Sequence, residues 1–228
     1  MSRNVLITGS SAGIGQKTKN LLLQRGHKVY GLARREQKKD HENFFPIVCD
    51  LEKLDPNDLD KIIPSDIDTL FCNAGMGKFA NLEQLSYRDI KRMMDINFTS
   101  HVYMIKYILP TLKKRNRADI ILLCSRAAFK VNKTYSIYSA SKFALRGFGL
   151  SLREECSSSS VHVSMIHPGM VRTDFFNDAP FEPGDERSQA VEPDDIAQIV
   201  DMILNTRDGL VLDEIHLNPL KRIINFKK

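Results

Sequence analysis

Tryptophan is absent from this chain of 228 residues, cysteine occurs only 4 times, and aromatic side chains make up only 8% of it. Cys49, Cys72, Cys124 and Cys156 form no Cys-x-x-Cys or zinc-type spacing, which excludes a disulfide scaffold and a metal knuckle. Three of the four fall in apolar strand-like runs and read as reduced core thiols. Long apolar runs are missing as well: none approaches 18 residues, so no membrane span is expected. An apparent strand from Asn4 leaves no room for a signal peptide, and the expected location is cytoplasmic. Basic charge is not concentrated either, although the net charge is +5. Lys113-Lys114-Arg115-Asn116-Arg117 reads as a solvated helix end and Lys227-Lys228 as a basic tail; without aromatic interleaving or a binding module, no nucleic-acid partner is expected. His162 and His167 are five apart on a strand-like run and face opposite ways, which rules out a shared metal.

What is present is alternation. Hydrophobic residues make up 42% of the chain, enough for one full core, and residues 1–228 read as a single domain. Apolar runs suggest strands at 4–8, 28–33, 45–49, 67–72, 118–124, 161–166 and 210–217, with helical patterns between them. Such alternation predicts an α/β fold, a Rossmann-type doubly wound sheet of about seven parallel strands with helices on both faces and ligands at the strands' carboxyl ends. Ser86 and Asp89 have capping-box spacing before a long helix expected from Tyr87 to about Leu112, and Pro193 starts the last helix.

The first strand runs into Thr8-Gly9-x-x-x-Gly13-x-Gly15 and then a helix. Glycines let the backbone approach a pyrophosphate, and the amides of the helix start attract its charge. Gly9, Ser11, Gly13, Ile14 and Gly15 are therefore candidate cofactor contacts. After the second strand stand Arg34 and Arg35, with no acid before Glu36. Arginine pairs with the 2′-phosphate of NADP where an acid would hold the ribose hydroxyl of NAD, so NADP(H) is favoured and NAD(H) remains possible. Asp50 and Leu51 close the third strand, where a carboxylate can accept from an adenine amino group; Asn73, Ala74 and Gly75 close the fourth and allow close ligand approach.

Ser125 ends the fifth strand, and Tyr138 and Lys142 share one face of the following helix, so hydroxyl, phenol and ammonium can converge on one carbonyl. A phenol with a pKa of about 10 needs help at neutral pH, and a nearby ammonium is expected to lower it. Chance alone supplies about 0.5 Tyr-x-x-x-Lys matches in such a chain, and a second pair exists at Tyr87 and Lys91. That pair has Ala74 where the other has Ser125, thirteen residues upstream, and reads as an exposed helix face. Residues 174–191, with three Phe, two Pro and one Gly and no periodicity, suit a substrate lid. A rival reading takes Gly9-Ser10-Ser11-Ala12-Gly13 as the Gly-x-Ser-x-Gly elbow of an α/β hydrolase, with Ser11 as nucleophile and His167 or His216 as base. It leaves Ser125, Tyr138 and Lys142 idle.

Together these motifs resemble the short-chain dehydrogenase/reductase family over essentially the whole chain. Thr8-Gly9-x-x-x-Gly13-x-Gly15 is similar to its cofactor turn, Asn73-Ala74-Gly75 to its strand-four motif, Tyr138-x-x-x-Lys142 to its catalytic pair, and Pro168-Gly169-x-Val171-x-Thr173 to its nicotinamide-side motif. The resemblance implies that Asn97, Ser125, Tyr138 and Lys142 form a proton-relay tetrad, with Asn97 bending its helix to hold a water. It implies that Pro168, Gly169, Val171 and Thr173 lie against the nicotinamide, and that Lys142 holds the ribose beside it. The implied partners are a small ketone, aldehyde or alcohol substrate and a second copy of the chain, as homodimer or homotetramer; a cofactor-sensing regulator is the alternative. Three departures stand out. Ala12 replaces a basic residue of many NADP-dependent relatives, Arg126-Ala127-Ala128-Phe129 follows Ser125, and Asp213 to Pro219 lacks the paired glycines of the acyl-carrier-protein reductases. Met76, Phe79, Phe129, Tyr135, Met170, Phe175 and Phe176 are candidates for an apolar substrate pocket or for core packing.

Overall fold

The computed structural model describes residues 2–227; Lys228 of the basic tail lies outside them. The strands are β1 (Asn4–Thr8), β2 (Lys28–Ala33), β3 (Phe44–Val48), β4 (Thr69–Cys72), β5 (Ala118–Leu123), β6 (Val161–Pro168), β7 (Phe181–Pro183), β8 (Glu214–Leu217) and β9 (Ile224–Phe226). Helices separate most of them, but the helical pattern expected between the second and third strands is not formed, and β2 runs to β3 through a loop. The helices are α1 (Gly13–Gln24), α2 (Leu59–Ile62), α3 (Tyr87–Met94), α4 (Ser100–Leu112), α5 (Ser136–Glu155) and α6 (Pro193–Leu204). Seven strands form one parallel sheet in the order β3-β2-β1-β4-β5-β6-β8. The order reverses between β1 and β4, and the crevice there is where a doubly wound sheet takes its ligand.

Side-chain alternation explains why the sheet is covered on both faces. Leu6, Leu70, Ile120 and Leu122 point to the side packed by α4 and α5, through Met104, Ile105, Ile108, Leu145 and Leu152. Val5, Ile7, Phe71 and Ile121 point to the other, packed by Leu22 of α1 and Ile196, Val200 and Ile203 of α6. A parallel strand buried on both faces reads as a continuous apolar run, as these do. The Ser86–Asp89 capping box starts α3, and Pro193 occupies the first turn of α6.

Four local expectations are corrected. The long helix is interrupted: Asp95–Thr99 is a π-helical turn between α3 and α4. The last strand of the sheet is only Glu214–Leu217, and residues 174–191 are not structureless: β7 pairs antiparallel with β9. Finally, Arg117 is not a solvated helix end. It is mostly buried, pairs with the fully buried Asp119 at 3.2 Å and donates to the Ile203 carbonyl at 3.0 Å, so only part of the basic run faces water.

Candidate active site

Backbone geometry at the first turn follows from its glycines. Gly9 and Gly13 have φ of 71° and 52°, a region where side chains are strained. A Cβ on Gly15 would stand 2.2 Å from the Gly9 carbonyl oxygen, so only glycine lets α1 start this close to the strand. The N-cap Ala12 makes no side-chain cap and the first turn of α1 has no acid, which leaves its amides and dipole open to an anion. Thr8 fixes the turn against β4. Its hydroxyl accepts from the Asn73 and Ala74 amides at 3.0 and 2.9 Å, while the Asn73 side chain donates to the Thr8 carbonyl at 2.8 Å.

From that turn a cleft of about 380 Å³ runs along the carboxyl ends of the strands. Gly9, Ser11, Gly13, Ile14, Arg34, Arg35, Asp50, Leu51, Asn73, Ala74 and Gly75 line one part of it; Ser125, Tyr138, Lys142, Pro168, Gly169, Val171 and Thr173 line the rest. Of the catalytic and cofactor-binding candidates only Gly15 and Asn97 do not line it; of the apolar pocket candidates Met76, Phe175 and Phe176 do, and Phe79, Phe129, Tyr135 and Met170 do not. Gly15 packs beneath the turn. Asn97 lies fully buried in the π-helical turn, where its Oδ1 accepts from the Met76 amide at 2.8 Å. Its Nδ2 donates to the Met76 carbonyl at 2.9 Å and to the Ser141 hydroxyl at 3.0 Å. Ser141 in turn donates to the Tyr138 carbonyl at 2.7 Å, so the amide ties the loop after β4 to the helix bearing Tyr138 and Lys142.

Tyr138 and Lys142 are both buried on α5. Burial pushes the Tyr138 phenol up to about 12, opposed by the Ser125 hydroxyl. Burial also pulls the Lys142 ammonium down to about 8, and its Nζ donates to the Leu123 carbonyl at 2.9 Å. The expectation that the lysine lowers the phenol's pKa is therefore not met in this structure: burial is the dominant influence on the phenol, and the ammonium is engaged by a backbone oxygen. The control pair behaves as a surface pair, with Tyr87 93% exposed and Lys91 bonded to Asp95 at 2.5 Å.

Sequence reasoning missed Arg92 and Ile96, which line the cleft beside Leu51. Arg92 pairs with Glu52 at 2.9 Å. Their spacing of four, one residue short of Asn97, was the available signal. Phe175 and Phe176 line the cleft, and Phe79 packs on the Tyr138 ring at 5.4 Å. Phe129 instead covers His167 and His216, behind Ser125. The hydrolase arrangement is not assembled. No histidine lines the cleft among the described residues, and His167 faces Glu214 at 3.0 Å.

A parallel sheet with its cleft at the reversal of strand order defines a Rossmann-type nucleotide-binding fold. The short chain dehydrogenase family model matches residues 3–182, and the chain belongs to that family of oxidoreductases. Serine 3-dehydrogenase of Agrobacterium fabrum is 29% identical over 239 residues, covering 97% of this chain and 96% of the relative. The 3-ketodihydrosphingosine reductase of Bacteroides thetaiotaomicron is 32% identical over 174 residues, 75% of this chain and 65% of the relative. Among solved structures, the closed form of serine dehydrogenase complexed with NADP+ superposes with a TM-score of 0.84 at 26% identity, covering 93% of each chain.

Proposed function

We propose that this chain is an NADP(H)-dependent oxidoreductase acting between a small or medium ketone or aldehyde and the corresponding alcohol. One observation carries the reading: a single cleft joins the uncapped start of α1, Arg34 and Arg35 to Ser125, Tyr138 and Lys142. The α1 amides and Gly9 hold a pyrophosphate, and Arg34 and Arg35 hold a 2′-phosphate. Asp50, Leu51 and Ile96 face the adenine, and Pro168, Gly169, Val171 and Thr173 flank the nicotinamide. A bound cofactor supplies or takes the hydride at the carbonyl carbon. In reduction Tyr138 gives its proton to the carbonyl oxygen, Ser125 donates a hydrogen bond to that oxygen, and Lys142 holds the nicotinamide ribose. A phenol near 12 in this structure stays protonated at neutral pH, which suits the donor role.

The names of the two relatives, a 3-dehydrogenase and a 3-keto reductase, support a carbonyl–alcohol couple. Residues 174–191 act as the substrate lid, with Phe175 and Phe176 as its inner face. The free thiols suit the reducing cytoplasm, and the exposed aromatic faces of α4 and α5 suit a homodimer or homotetramer.

The test is titration with NADPH and NADH, followed by turnover on a carbonyl panel. Tyr138→Phe is expected to bind NADPH as the wild type does and to lose about 10² to 10⁴ in rate. Near wild-type turnover in that variant sinks the mechanism. Cofactor binding without turnover of any carbonyl or alcohol would point to a sensing regulator instead.

A further inference from the structure

Arg34 and Arg35 are exposed and lie on a segment, residues 34–40, that has no helix or strand to hold it. Two long side chains on such a segment discriminate a phosphate well only if their backbone is fixed in advance, since ordering it on binding would weaken affinity. The first side chain beyond them that turns inward is Gln37. Its Oε1 accepts from the Ser10 hydroxyl at 3.0 Å, and its Nε2 donates to the Gly31 carbonyl at 2.9 Å. Ser10 belongs to the glycine turn and is fully buried. Gly9 and Ser10 also donate through their amides to the Leu32 carbonyl, at 2.8 and 3.3 Å, so the turn and the end of β2 are already joined when Gln37 reaches them.

We propose that Gln37 is a positioning residue for cofactor choice: through Ser10 and Gly31 it clips the loop bearing Arg34 and Arg35 to the glycine turn, fixing both guanidinium groups for a 2′-phosphate. The inference rests on the NADP(H) reading above. Two details show that the clip is built. A Cβ on Gly31 would stand 2.7 Å from the Ser10 hydroxyl oxygen and 2.5 Å from the Phe44 ring, so glycine there leaves the room that Ser10 occupies. And of the side chains of this length, only an amide can accept from Ser10 and donate to the Gly31 carbonyl at once; glutamate accepts only. Arg34 and Arg35 are thereby held between two anchors. On one side Ala33 of β2 accepts from the Cys49 amide at 2.9 Å, and on the other is Gln37, four positions further on. Gln37 does not itself line the cleft, so it acts through the arginines.

The experiment is equilibrium titration of the full-length protein with NADPH and with NADH, for the wild type, Gln37→Ala, Gln37→Glu, Ser10→Ala, the Ser10→Ala/Gln37→Ala double variant, and the Arg34→Ala/Arg35→Ala double variant. Gln37→Ala is expected to weaken NADPH about tenfold while NADH stays within about twofold. Gln37→Glu, which loses the donor and adds a carboxylate near the phosphate, should weaken NADPH at least as much. Ser10→Ala should reproduce Gln37→Ala, and combining them should add little, because each breaks the same clip. Equal weakening of both cofactors in Gln37→Ala and Ser10→Ala would make the clip merely structural and overturn the proposal, as would unchanged NADPH affinity. The arginine double variant separates the two levels. If it leaves the ratio of NADPH to NADH affinity unaltered, the NADP(H) reading itself fails; if it abolishes the preference while Gln37→Ala does not, only the clip fails.

Discussion

A lysine pulled down to about 8 by burial is a charge held at a cost, and Lys142 is 4% exposed. Below pH 8 its ammonium is charged in folded and unfolded chains alike, and the burial penalty applies in full. As pH rises from 8 towards 10.5 the folded chain loses its proton first while the unfolded chain keeps it, so this residue makes stability increase with pH. Removing the charge should therefore stabilise the protein and inactivate it. Lys142→Met is expected to gain on the order of 2 kcal/mol in urea unfolding at pH 7, with the gap to wild type narrowing by pH 9.5. A destabilised variant at pH 7 would show that the Leu123 carbonyl bond outweighs desolvation. The Tyr138-x-x-x-Lys142 spacing was legible in the sequence; the direction of the phenol's shift was not. That direction is set by how tightly Phe79 and Phe175, with the neighbouring Tyr135, close around the ring, and packing by Phe79 and Phe175, so far from Tyr138 in the chain, leaves no trace in spacing.

At the scale of elements, the segment 174–191 and the C-terminal strand form one unit. Phe181–Pro183 pairs with Ile224–Phe226, and the Lys227 ammonium donates to the Phe176 and Asn177 carbonyls at 2.7 and 3.0 Å. Those carbonyls end the short turn that presents Phe175 and Phe176 to the cleft. Lys227→Ala should loosen this turn without touching the cofactor half. The expected result is a KM for the carbonyl substrate raised several-fold, an unchanged NADPH affinity and faster proteolytic nicking within 174–191. An unchanged KM together with unchanged nicking would remove Lys227 from any role at the lid. Both paired strands are three residues long, too short for the period of two to rise above chance, so sequence reading left β7 within a loop and did not find β9. The helix carrying Asn97 was legible as a helix for the opposite reason: its cap and its apolar spacing are local. Its π-helical turn was not, because the widening accommodates bonds from Asn97 to Met76 and Ser141, on other elements.

Across the whole molecule, binding chemistry gathers at one end of the sheet and a structural ion network at the other. Asp119 is fully buried at the start of β5, between Arg117 at 3.2 Å and Arg3, which pairs in addition with Asp68 at 3.2 Å. Asp119→Ala would remove the buried carboxylate that two guanidinium groups share, leaving Arg3 on Asp68 and Arg117 on the Ile203 carbonyl, and should cost about 3 kcal/mol in denaturant unfolding while leaving the cofactor preference of the folded fraction intact. The flanks carry a different signal. Tyr103 and Tyr107 on α4 and Phe143 and Leu150 on α5 are each 37–43% exposed, more apolar surface than a helix facing only water needs. If these faces join copies of the chain, Tyr107→Asp/Phe143→Arg should yield monomers by light scattering; a wild type that is already monomeric would dismiss the proposed oligomer.

By itself the sequence determined most of the alternation of strands and helices, the glycine turn, and the Ser125, Tyr138 and Lys142 set at the cleft, because each depends on near neighbours in the chain or on the period of a single element. Tertiary structure alone decided the strand order that puts the cleft between β1 and β4, the burial that sets the Tyr138 and Lys142 protonation, and the contacts of Asn97, Arg117, Gln37 and Lys227. Each of these is a balance of desolvation and pairing between segments distant in the chain, and only the folded molecule sets which groups share a boundary with water.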